Sequence, residues 1–405
     1  MIFYDGRRRK MEVIIRPGDT LSYFSSLFKL PLNLIVDSNS NINSDNLKVS
    51  QKILLPGYVP VAYTIKEGDT FWKIAAAKKL AVDTLLLLNQ NKEEGQLKVG
   101  DTIFVPEKVM SPFTTAKSPC DYKSLVKLID NLIRVYPFIS VNTIGRSVLG
   151  NPIQEIRIGK GAKKIHMNAS FHANEWITTM VLMTLVNKYL LSLTNRILMK
   201  GIQANNLYNE VQLSIVPMVN PDGVDLVLNG PRSNLRKNIM EINKGSDDFI
   251  HWKANINGID LNNQFPANWD ICKKNKQPKA PAPRDFPGDA PLTEPEAAAM
   301  VELAKNSSFD CVIAFHTQGE EFYWGYEGFE PSESENLAKE FERVSGYQAI
   351  RYVNSHAGYK DWFIQEFKRS GFTLELGKGI NPLPLSQFPQ ILNCAEEIFL
   401  AALHY

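Results

Sequence analysis

The sequence predicts an α/β fold for most of the chain, with a mixed sheet covered by helices on both faces, preceded by two small α+β modules. Apolar strands alternate with helices after residue 120, a pattern typical of such a sheet. Residues 11–106 contain an internal repeat with a period of 50, which indicates two copies of one small unit. We therefore divide the chain into module 1 (11–57), module 2 (60–107), a linker rich in Ser, Pro and Thr (108–119) and a large domain (120–405).

The composition is that of an ordinary globular protein. The chain has 405 residues, of which 44% are hydrophobic and 22% are charged, with a formal net charge of +2. This near-neutral balance gives no reason to expect nucleic acid as a partner. Its longest apolar runs, such as 85–88 and 399–403, are shorter than the roughly 18 residues that span a bilayer, so no membrane partner is expected either.

Each repeat is predicted to fold as strand, helix, helix and strand. A Gly-Asp-Thr triplet occurs at 18–20 and again at 68–70, and Asn39 corresponds to Asn89. The two Asp-Thr pairs lie where the first helix of each repeat should begin, and Thr is a favoured N-cap residue. The pattern therefore predicts two βααβ units.

A His-x-x-Glu sequence follows the first apolar strand of the large domain. Residues 165–170 are predicted to be a strand and residues 177–191 a helix, which places His172 and Glu175 at their junction. An imidazole and a carboxylate three residues apart can both bind zinc. The spacing alone is weak evidence, because a solvated or hydrogen-bonded pair has the same spacing.

Two later strands supply the other residues of a metal site. His316 ends the apolar stretch 309–316, and Glu375 lies between Leu374 and Leu376. A lone histidine at a strand end is often only a core residue, but an unpaired carboxylate among apolar residues is costly to bury. Two histidines and a glutamate as ligands, with a second glutamate as base, are sufficient for metal-assisted hydrolysis.

Residues 118–405 resemble the zinc carboxypeptidase family, and within it the bacterial γ-D-glutamyl-diamino acid peptidases that cut cell-wall stem peptides. The resemblance rests on six ordered motifs: His172-x-x-Glu175, Val216-Pro-Met-Val-Asn-Pro-Asp-Gly223, Gly258-Ile-Asp-Leu-Asn262, Thr293-Glu-Pro-Glu296, His316 and Thr373-Leu-Glu-Leu376. It implies a sheet of the eight-stranded type and one Zn²⁺ per chain held by His172, Glu175 and His316. It also implies Glu375 as the general base.

The chain departs from this family at two positions where relatives carry an arginine. Family exopeptidases follow Asp-Leu-Asn with an arginine that binds the free terminal carboxylate, but here Asn262 is followed by Asn263. An amide cannot make the bidentate charged contact of arginine, so cleavage inside a longer or branched peptide is favoured. Lys253 stands where many relatives carry an arginine that polarises the scissile carbonyl. We assign it that role; a solvated surface lysine is the alternative.

Three further side chains are candidates for contacting substrate. Arg284 lies in a proline-rich basic loop and is a candidate anchor for a substrate carboxylate, although such loops are usually only solvated. Tyr352 is the first candidate for the tyrosine that the family places over the substrate, and His356 is the second. Simple loop packing would account for either residue equally well.

Both repeats resemble the LysM module, a small binder of N-acetylglucosamine polymers such as peptidoglycan and chitin. The resemblance implies that sugar contacts the first loop of each module, that is Gly18, Asp19, Thr20, Gly68, Asp69 and Thr70. Two weakly binding modules in tandem raise the effective concentration at a polymer surface. The alternative is a spacer or a dimerisation unit.

Together these features predict a zinc metallopeptidase that hydrolyses peptidoglycan stem peptides at the γ-D-glutamyl-meso-diaminopimelate bond. A broad-range zinc carboxypeptidase, a zinc acylase and an inactive glycan-binding protein are the alternatives. Residues 1–10 carry positive charge without the apolar stretch of a secretory signal. We therefore expect either a cytoplasmic, sporulation-associated enzyme or one that reaches the cell wall by another route.

Overall fold

The structure is a computed structural model that describes residues 9–44, 46–92, 97–113 and 118–405. The chain divides into two compact units. The first contains both repeats together with residues 129–140 and 188–204, and the second contains the rest of the large domain.

Each repeat folds as two short helices and a two-stranded antiparallel sheet. The first comprises β1 (Glu12–Ile14), α1 (Leu21–Phe28), α2 (Leu32–Ser38) and β2 (Lys52–Leu54). The second comprises β3 (Tyr58–Thr64), α3 (Phe71–Lys78), α4 (Val82–Leu88) and β4 (Thr102–Lys108). The predicted βααβ order is confirmed in both copies.

A repeated asparagine joins the second helix of each module to its last strand. The Nδ2 of Asn39 donates to the carbonyls of Ile35 and Leu54 at 2.8 and 2.9 Å, and its Oδ1 accepts from the Leu54 amide. Asn89 makes the same three bonds to Leu85 and Phe104. Because a short βααβ unit has a small core, a buried side chain that satisfies three backbone groups contributes much of its order.

The large domain is built on eight strands: β5 (Ser140–Arg146), β6 (Pro152–Ile158), β7 (Lys163–Ala169), β8 (Val211–Val216), β9 (Cys311–His316), β10 (Glu321–Tyr323), β11 (Gln348–Ile350) and β12 (Ser370–Glu375). They form one sheet in the order β11-β10-β12-β9-β7-β8-β6-β5. Strands β12, β9, β7 and β8 are mutually parallel, whereas β6 and β10 are antiparallel to β8 and β12. The predicted mixed eight-stranded sheet is confirmed.

Ten helices of the described residues accompany this sheet: α5 (Tyr122–Val135), α6 (Ile177–Asn195), α7 (Ala204–Glu210), α8 (Pro221–Asn229), α9 (Arg236–Ile242), α10 (Trp269–Asn275), α11 (Pro295–Ser307), α12 (Glu333–Ser345), α13 (Tyr359–Phe367) and α14 (Phe388–His404). All six residues of β9 are buried, so both faces of the central sheet are covered. The segment Ala173–Asn195 is long and apolar enough to cross a membrane, but its most apolar stretch is 94% buried within the fold.

Several predicted boundaries differ in detail. Strand β6 begins at Pro152, since proline is tolerated as the first residue of a strand. Glu375 is the last residue of β12 and not an interior one. Lys108, which we assigned to the linker, ends β4, and Val109 beside it is buried. Residues 114–117 of the predicted linker lie outside the described residues.

The start of α11 buries a carboxyl group among other acids. Glu296 is fully buried, and its Oε1 accepts a hydrogen bond from the Val148 amide at 3.1 Å. Glu294 lies next to it, because Asn255 Nδ2 contacts both carboxylates at 2.6 and 3.4 Å. Burial, with Asp222 and Glu294 nearby, raises the pKa of Glu296 to about 7.

We predict that Glu296→Gln stabilises the protein at alkaline pH relative to acidic pH. The native protein keeps the Glu296 proton up to about pH 7, whereas the unfolded chain releases it near its ordinary pKa of about 4.3. The stabilisation from this proton is therefore present at low pH and is lost as pH rises toward 7. The difference in unfolding free energy between the variant and wild type should therefore shift by about 1–3 kcal/mol in favour of the variant from pH 5 to pH 8. Urea titrations at the two pH values measure this shift.

The exposed Glu302 on the same helix provides the matched control. Glu302→Gln should follow wild type at both pH values. An equal effect of Glu296→Gln at pH 5 and pH 8 would show that Glu296 is ionised in the native protein.

Candidate active site

The turn after β7 brings His172 and Glu175 to the same side of the chain. Ser170 adopts a left-handed backbone conformation with φ of 50°, and its amide donates to Thr178 Oγ1 at 3.0 Å. A 3₁₀ turn over Ala173–Glu175 follows immediately. The sharp bend and the short turn together direct both side chains toward the carboxyl end of the sheet.

Three buried side chains converge there. The Nδ1 of His172 lies 2.9 Å from Glu175 Oε1, and the Nδ1 of His316 lies 3.1 Å from Glu175 Oε2. The two Nδ1 atoms are 3.0 Å apart, and one donor atom from each residue falls within 4.8 Å of the others. One such atom from each of three buried side chains is therefore available to a single cation. This donor set fits a zinc ion, which favours nitrogen and carboxylate ligands.

Neighbouring groups hold these three side chains in place. The Oδ1 of Asp260 lies 3.3 Å from His172 Nε2, the nitrogen that faces away from the cluster. Glu175 accepts hydrogen bonds from Asn381 Nδ2 and from the Thr317 amide, both at 3.3 Å. A carboxylate behind a ligating histidine fixes its tautomer and increases its basicity.

The electrostatics of the cluster favour the ionised carboxylates. Burial alone would raise the pKa of Glu175, but His172 and His316 beside it hold the pKa below its ordinary value. Burial would likewise raise the pKa of Asp260, and the nearby Lys253 and His172 lower it instead. Both carboxylates are therefore charged at neutral pH and available to a cation or to a cationic ring.

Glu375 lies beside His316 on the adjacent parallel strand. The two residues are paired in register, so both belong to the last position of their strands. Burial, together with the negative charges of Glu175 and Glu321, raises the pKa of Glu375 well above its ordinary value, and Lys253 only partly opposes this. This carboxyl group has a raised pKa and lies next to candidate metal ligands, so it is suited to accept a proton and to return it.

A cavity of about 230 Å³ opens onto this cluster, and the predicted catalytic and peptide-binding residues His172, Lys253, Asn262, Asn263 and Glu375 all line it. The Nζ of Lys253 lies 3.9 Å from Asp260 Oδ2. Burial would lower the pKa of Lys253, but Asp260 and Glu175 raise it, so the lysine is charged. The alternative of a solvated surface lysine does not fit this position.

The other predicted substrate contacts lie elsewhere. Tyr352 is 53% exposed, and its hydroxyl donates to Glu330 at 2.9 Å. His356 contacts the Tyr326 hydroxyl at 3.1 Å. Arg284 forms an ion pair with Asp285 at 2.9 Å. Tyr352, His356 and Arg284 do not line the cavity in this structure, and their contact with substrate stays a prediction.

Several charged or polar lining residues were not predicted from the sequence, among them Asp260, Lys276, Tyr323, Lys360 and Asp361. Asp260 stands inside the Gly-Ile-Asp-Leu-Asn motif, so its position was a usable signal. The others come from β10, α13 and the end of α10 and form no shared linear motif.

The Gly-Asp-Thr loops are ordered by their own hydrogen bonds. Thr20 and Thr70 cap α1 and α3 by accepting from the backbone amides three residues on. Asp69 accepts from the Lys66 amide and from the Tyr63 hydroxyl. Gly18 has a φ of 87°, a backbone conformation that glycine adopts without strain. An added Cβ at Gly18 would have no neighbour within 4 Å, so this side of the loop is unobstructed. The sugar contact predicted for these loops stays a prediction.

Comparison with known proteins places this arrangement in a family. The zinc carboxypeptidase family model matches residues 125–398, and the LysM domain model matches residues 13–56 and 63–106. The chain therefore belongs to the zinc carboxypeptidase family and carries two LysM domains.

Individual relatives agree with this assignment. Gamma-D-glutamyl-L-diamino acid endopeptidase 1 of Lysinibacillus sphaericus is 57% identical over 396 residues, covering 97% of this chain and 100% of the relative. Human carboxypeptidase B is 25% identical over 286 residues, covering 65% of this chain and 64% of its own length. The crystal structure of carboxypeptidase A from Helicoverpa armigera has a TM-score of 0.53 at 17% identity, covering 75% and 83% of the two chains, which shows a shared fold.

We predict that Asp260→Asn weakens metal binding. The amide removes the negative charge that faces His172 Nε2 and should lower the affinity for Zn²⁺ by about 10- to 100-fold. Competition with a chromophoric chelator measures this affinity. Asp270→Asn, an exposed change in α10, should bind the metal as wild type does. Equal affinities for Asp260→Asn and wild type would exclude Asp260 as a support of the metal site.

Proposed function

We propose that the protein is a zinc-dependent endopeptidase that hydrolyses the γ-D-glutamyl-meso-diaminopimelate bond of peptidoglycan stem peptides, with one Zn²⁺ per chain. The observation that carries this proposal is the convergence of His172, Glu175 and His316. Glu375 is paired in register with His316, and it lines one cavity together with His172. The substrate follows from the similarity over 97% of the chain to a γ-D-glutamyl-L-diamino acid endopeptidase.

In this mechanism Glu375 moves the proton. His172, Glu175 and His316 hold the zinc ion, which when bound acts as a Lewis acid toward water and the scissile carbonyl. Glu375 accepts a proton from the attacking water and later donates it to the leaving amine. Its raised pKa supports the first step, because a more basic carboxylate accepts a proton from water more readily.

Lys253 and Asn263 position the substrate. The charged Nζ of Lys253 stabilises the negative charge that develops on the carbonyl oxygen. Asn263 is 5% exposed and presents an amide where an exopeptidase would hold a terminal carboxylate. We infer that the peptide continues past this point, which suits a cut inside the stem peptide.

The LysM domains direct this chemistry to the cell wall. We propose that they bind the N-acetylglucosamine-containing glycan through residues 18–20 and 68–70, while the catalytic domain cuts the attached peptide. Tandem domains would keep the enzyme on the polymer between cuts. We propose that this combination serves the turnover of cell-wall material.

We predict that Glu375→Gln lowers kcat by about 10²- to 10⁴-fold without loss of zinc, because the variant lacks the proton acceptor but keeps the ligands. Wild type should release L-Ala-D-Glu from L-Ala-γ-D-Glu-meso-diaminopimelate-D-Ala, as read by mass spectrometry. A chelator should abolish the release, and added Zn²⁺ should restore it.

The exposed Glu366 provides the control, since Glu366→Gln should retain full activity. Release of only the terminal D-Ala by wild type would identify an exopeptidase and contradict the proposal. Full activity of the Glu375→Gln variant would exclude Glu375 as the base.

A second prediction concerns Asn263. Asn263→Arg should shift the preference by about tenfold toward substrates in which the residue after the scissile bond has a free α-carboxylate, because arginine binds that group bidentately. The ratio of kcat/KM for the tripeptide and for the same peptide extended by D-Ala measures this preference. Asn263→Met, which adds bulk without charge, should leave the ratio at its wild-type value. A ratio unchanged by arginine would show that Asn263 does not face the terminal carboxylate.

A further inference from the structure

A cavity of about 590 Å³ lies between the two repeats, which belong to one compact unit of the chain. Glu12, Ile14 and Lys52 line it from module 1, and Thr102 and Phe104 line it from module 2. Neither repeat forms this cavity alone, and we call it the inter-module cleft. Its volume is in the range of sites that bind small organic ligands.

The walls of the inter-module cleft are the outer faces of the two small sheets. Glu12 and Ile14 flank a buried position of β1, so both side chains point away from the core of module 1. Thr102 and Phe104 flank a buried position of β4 in the same way. Each wall therefore carries one apolar and one polar side chain.

Contacts between the modules hold the two walls at a fixed separation. Leu87 of α4 is 2% exposed and belongs to the hydrophobic core of module 1. The Nε2 of Gln90 donates to the Ile14 carbonyl at 2.7 Å, and the Arg16 guanidinium makes two bonds of 2.7 Å to Asp83. A ligand that enters a preformed cleft loses less free energy to ordering the protein.

The inter-module cleft has an excess of positive charge. Arg9, Lys10 and Lys52 line it with one carboxylate, Glu12, which gives a net charge of +2. The Lys52 Nζ lies 3.5 Å from Glu12 Oε2, but both side chains are exposed, so this pair is weak and both groups stay available. The Arg9 guanidinium lies 5.7 Å from the centre of the Phe104 ring. This combination fits an anionic ligand with small apolar groups better than it fits a neutral sugar.

We propose that the inter-module cleft binds the stem peptide of peptidoglycan, as a second peptide site besides the catalytic one; the inference rests on the proposed function. A glycan-linked L-Ala-γ-D-Glu-meso-diaminopimelyl-D-Ala peptide has three carboxylates and one ammonium group, so its charge is opposite to that of the cleft and equal in size. The cations of the cleft bind the carboxylates, and Glu12 binds the ammonium group. The alanine methyl groups pack on Ile14 and Phe104.

This site gives the tandem modules a preference that loops binding only sugar cannot give. Chitin and peptidoglycan both contain N-acetylglucosamine, but only peptidoglycan carries charged peptides. A cleft that binds the peptide, together with loops that bind the glycan, holds the enzyme on polymer that contains its substrate.

Isothermal titration calorimetry of the full zinc-loaded chain with Glu375→Gln tests the inference, because this variant should bind peptide without cleaving it. The ligand is N-acetyl-L-Ala-γ-D-Glu-meso-diaminopimelyl-D-Ala, which contains no sugar. We expect two molecules bound per chain, one at the catalytic site and one in the cleft. Lys10→Glu with Lys52→Glu changes the net charge of the cleft from +2 to −2. This change should weaken the second site at least about tenfold, since like charges then face each other.

Lys48→Glu with Lys98→Glu is the matched control. These exposed lysines occupy equivalent positions of the two repeats outside the cleft, and their reversal changes the total charge by the same amount. This control protein should still bind two molecules. Phe104→Ala changes no charge and should weaken the second site about tenfold. If thermal unfolding shows that Phe104→Ala does not fold, the reversal of the exposed Lys10 and Lys52 carries the test.

Four results would overturn the inference. They are a single molecule bound per chain when the cleft is unaltered, an equal loss of the second site in the control pair, equally tight binding of poly-L-glutamate, and self-association that the cleft reversal abolishes in analytical ultracentrifugation. Poly-L-glutamate binding would show unspecific attraction of anions, and self-association would assign the cleft to a second copy of the chain. Two molecules bound per chain without cleavage by the zinc-loaded wild type would reject the proposed function and retain the cleft as a peptide site.

Discussion

The active site depends on one constraint, which is that parallel strands end at the same edge of a sheet. Strands β7, β9 and β12 are adjacent and parallel, and each delivers one part of the site: β7 leads to His172, β9 ends at His316 and β12 ends at Glu375. Since β9 and β12 are in register, His316 and Glu375 lie side by side, and the bend at Ser170 after β7 brings His172 and Glu175 toward them. The crevice beyond the carboxyl ends of such strands is where α/β proteins bind ligands.

The same constraint explains why the sequence could predict that His172, Glu175 and His316 lie together. Each ligand stands next to an apolar strand whose pattern is readable on its own, and the strand ends must meet in an open α/β sheet. Glu175 needed no long-range information because it lies three residues from His172. The mixed sheet and the two βααβ modules were also predictable, because alternation and repetition are local features.

The walls of the cavity were not predictable in this way. Lys360 and Asp361 lie at the start of a helix with an ordinary amphipathic pattern, and only the packing of that helix on Gly371 brings them to the cavity. Asn381 reaches Glu175 across 206 positions of sequence. The Tyr352 hydroxyl donates to Glu330, a contact that no local pattern indicates. Contacts that depend on the relative placement of loops are therefore lost from a single sequence.

The charges of the cavity suggest how a polar substrate is selected. Its lysines each have a carboxylate nearby: Lys253 lies 3.9 Å from Asp260, Lys276 lies 3.1 Å from Asp285, and Lys360 lies 2.6 Å from Asp361. Such a cavity does not attract anions merely by an excess of positive charge. Each lysine presents its charge at a fixed point, where low dielectric makes the interaction depend steeply on distance. A substrate that carries both carboxylates and amines is therefore selected by where its charges lie relative to these points and not by its net charge.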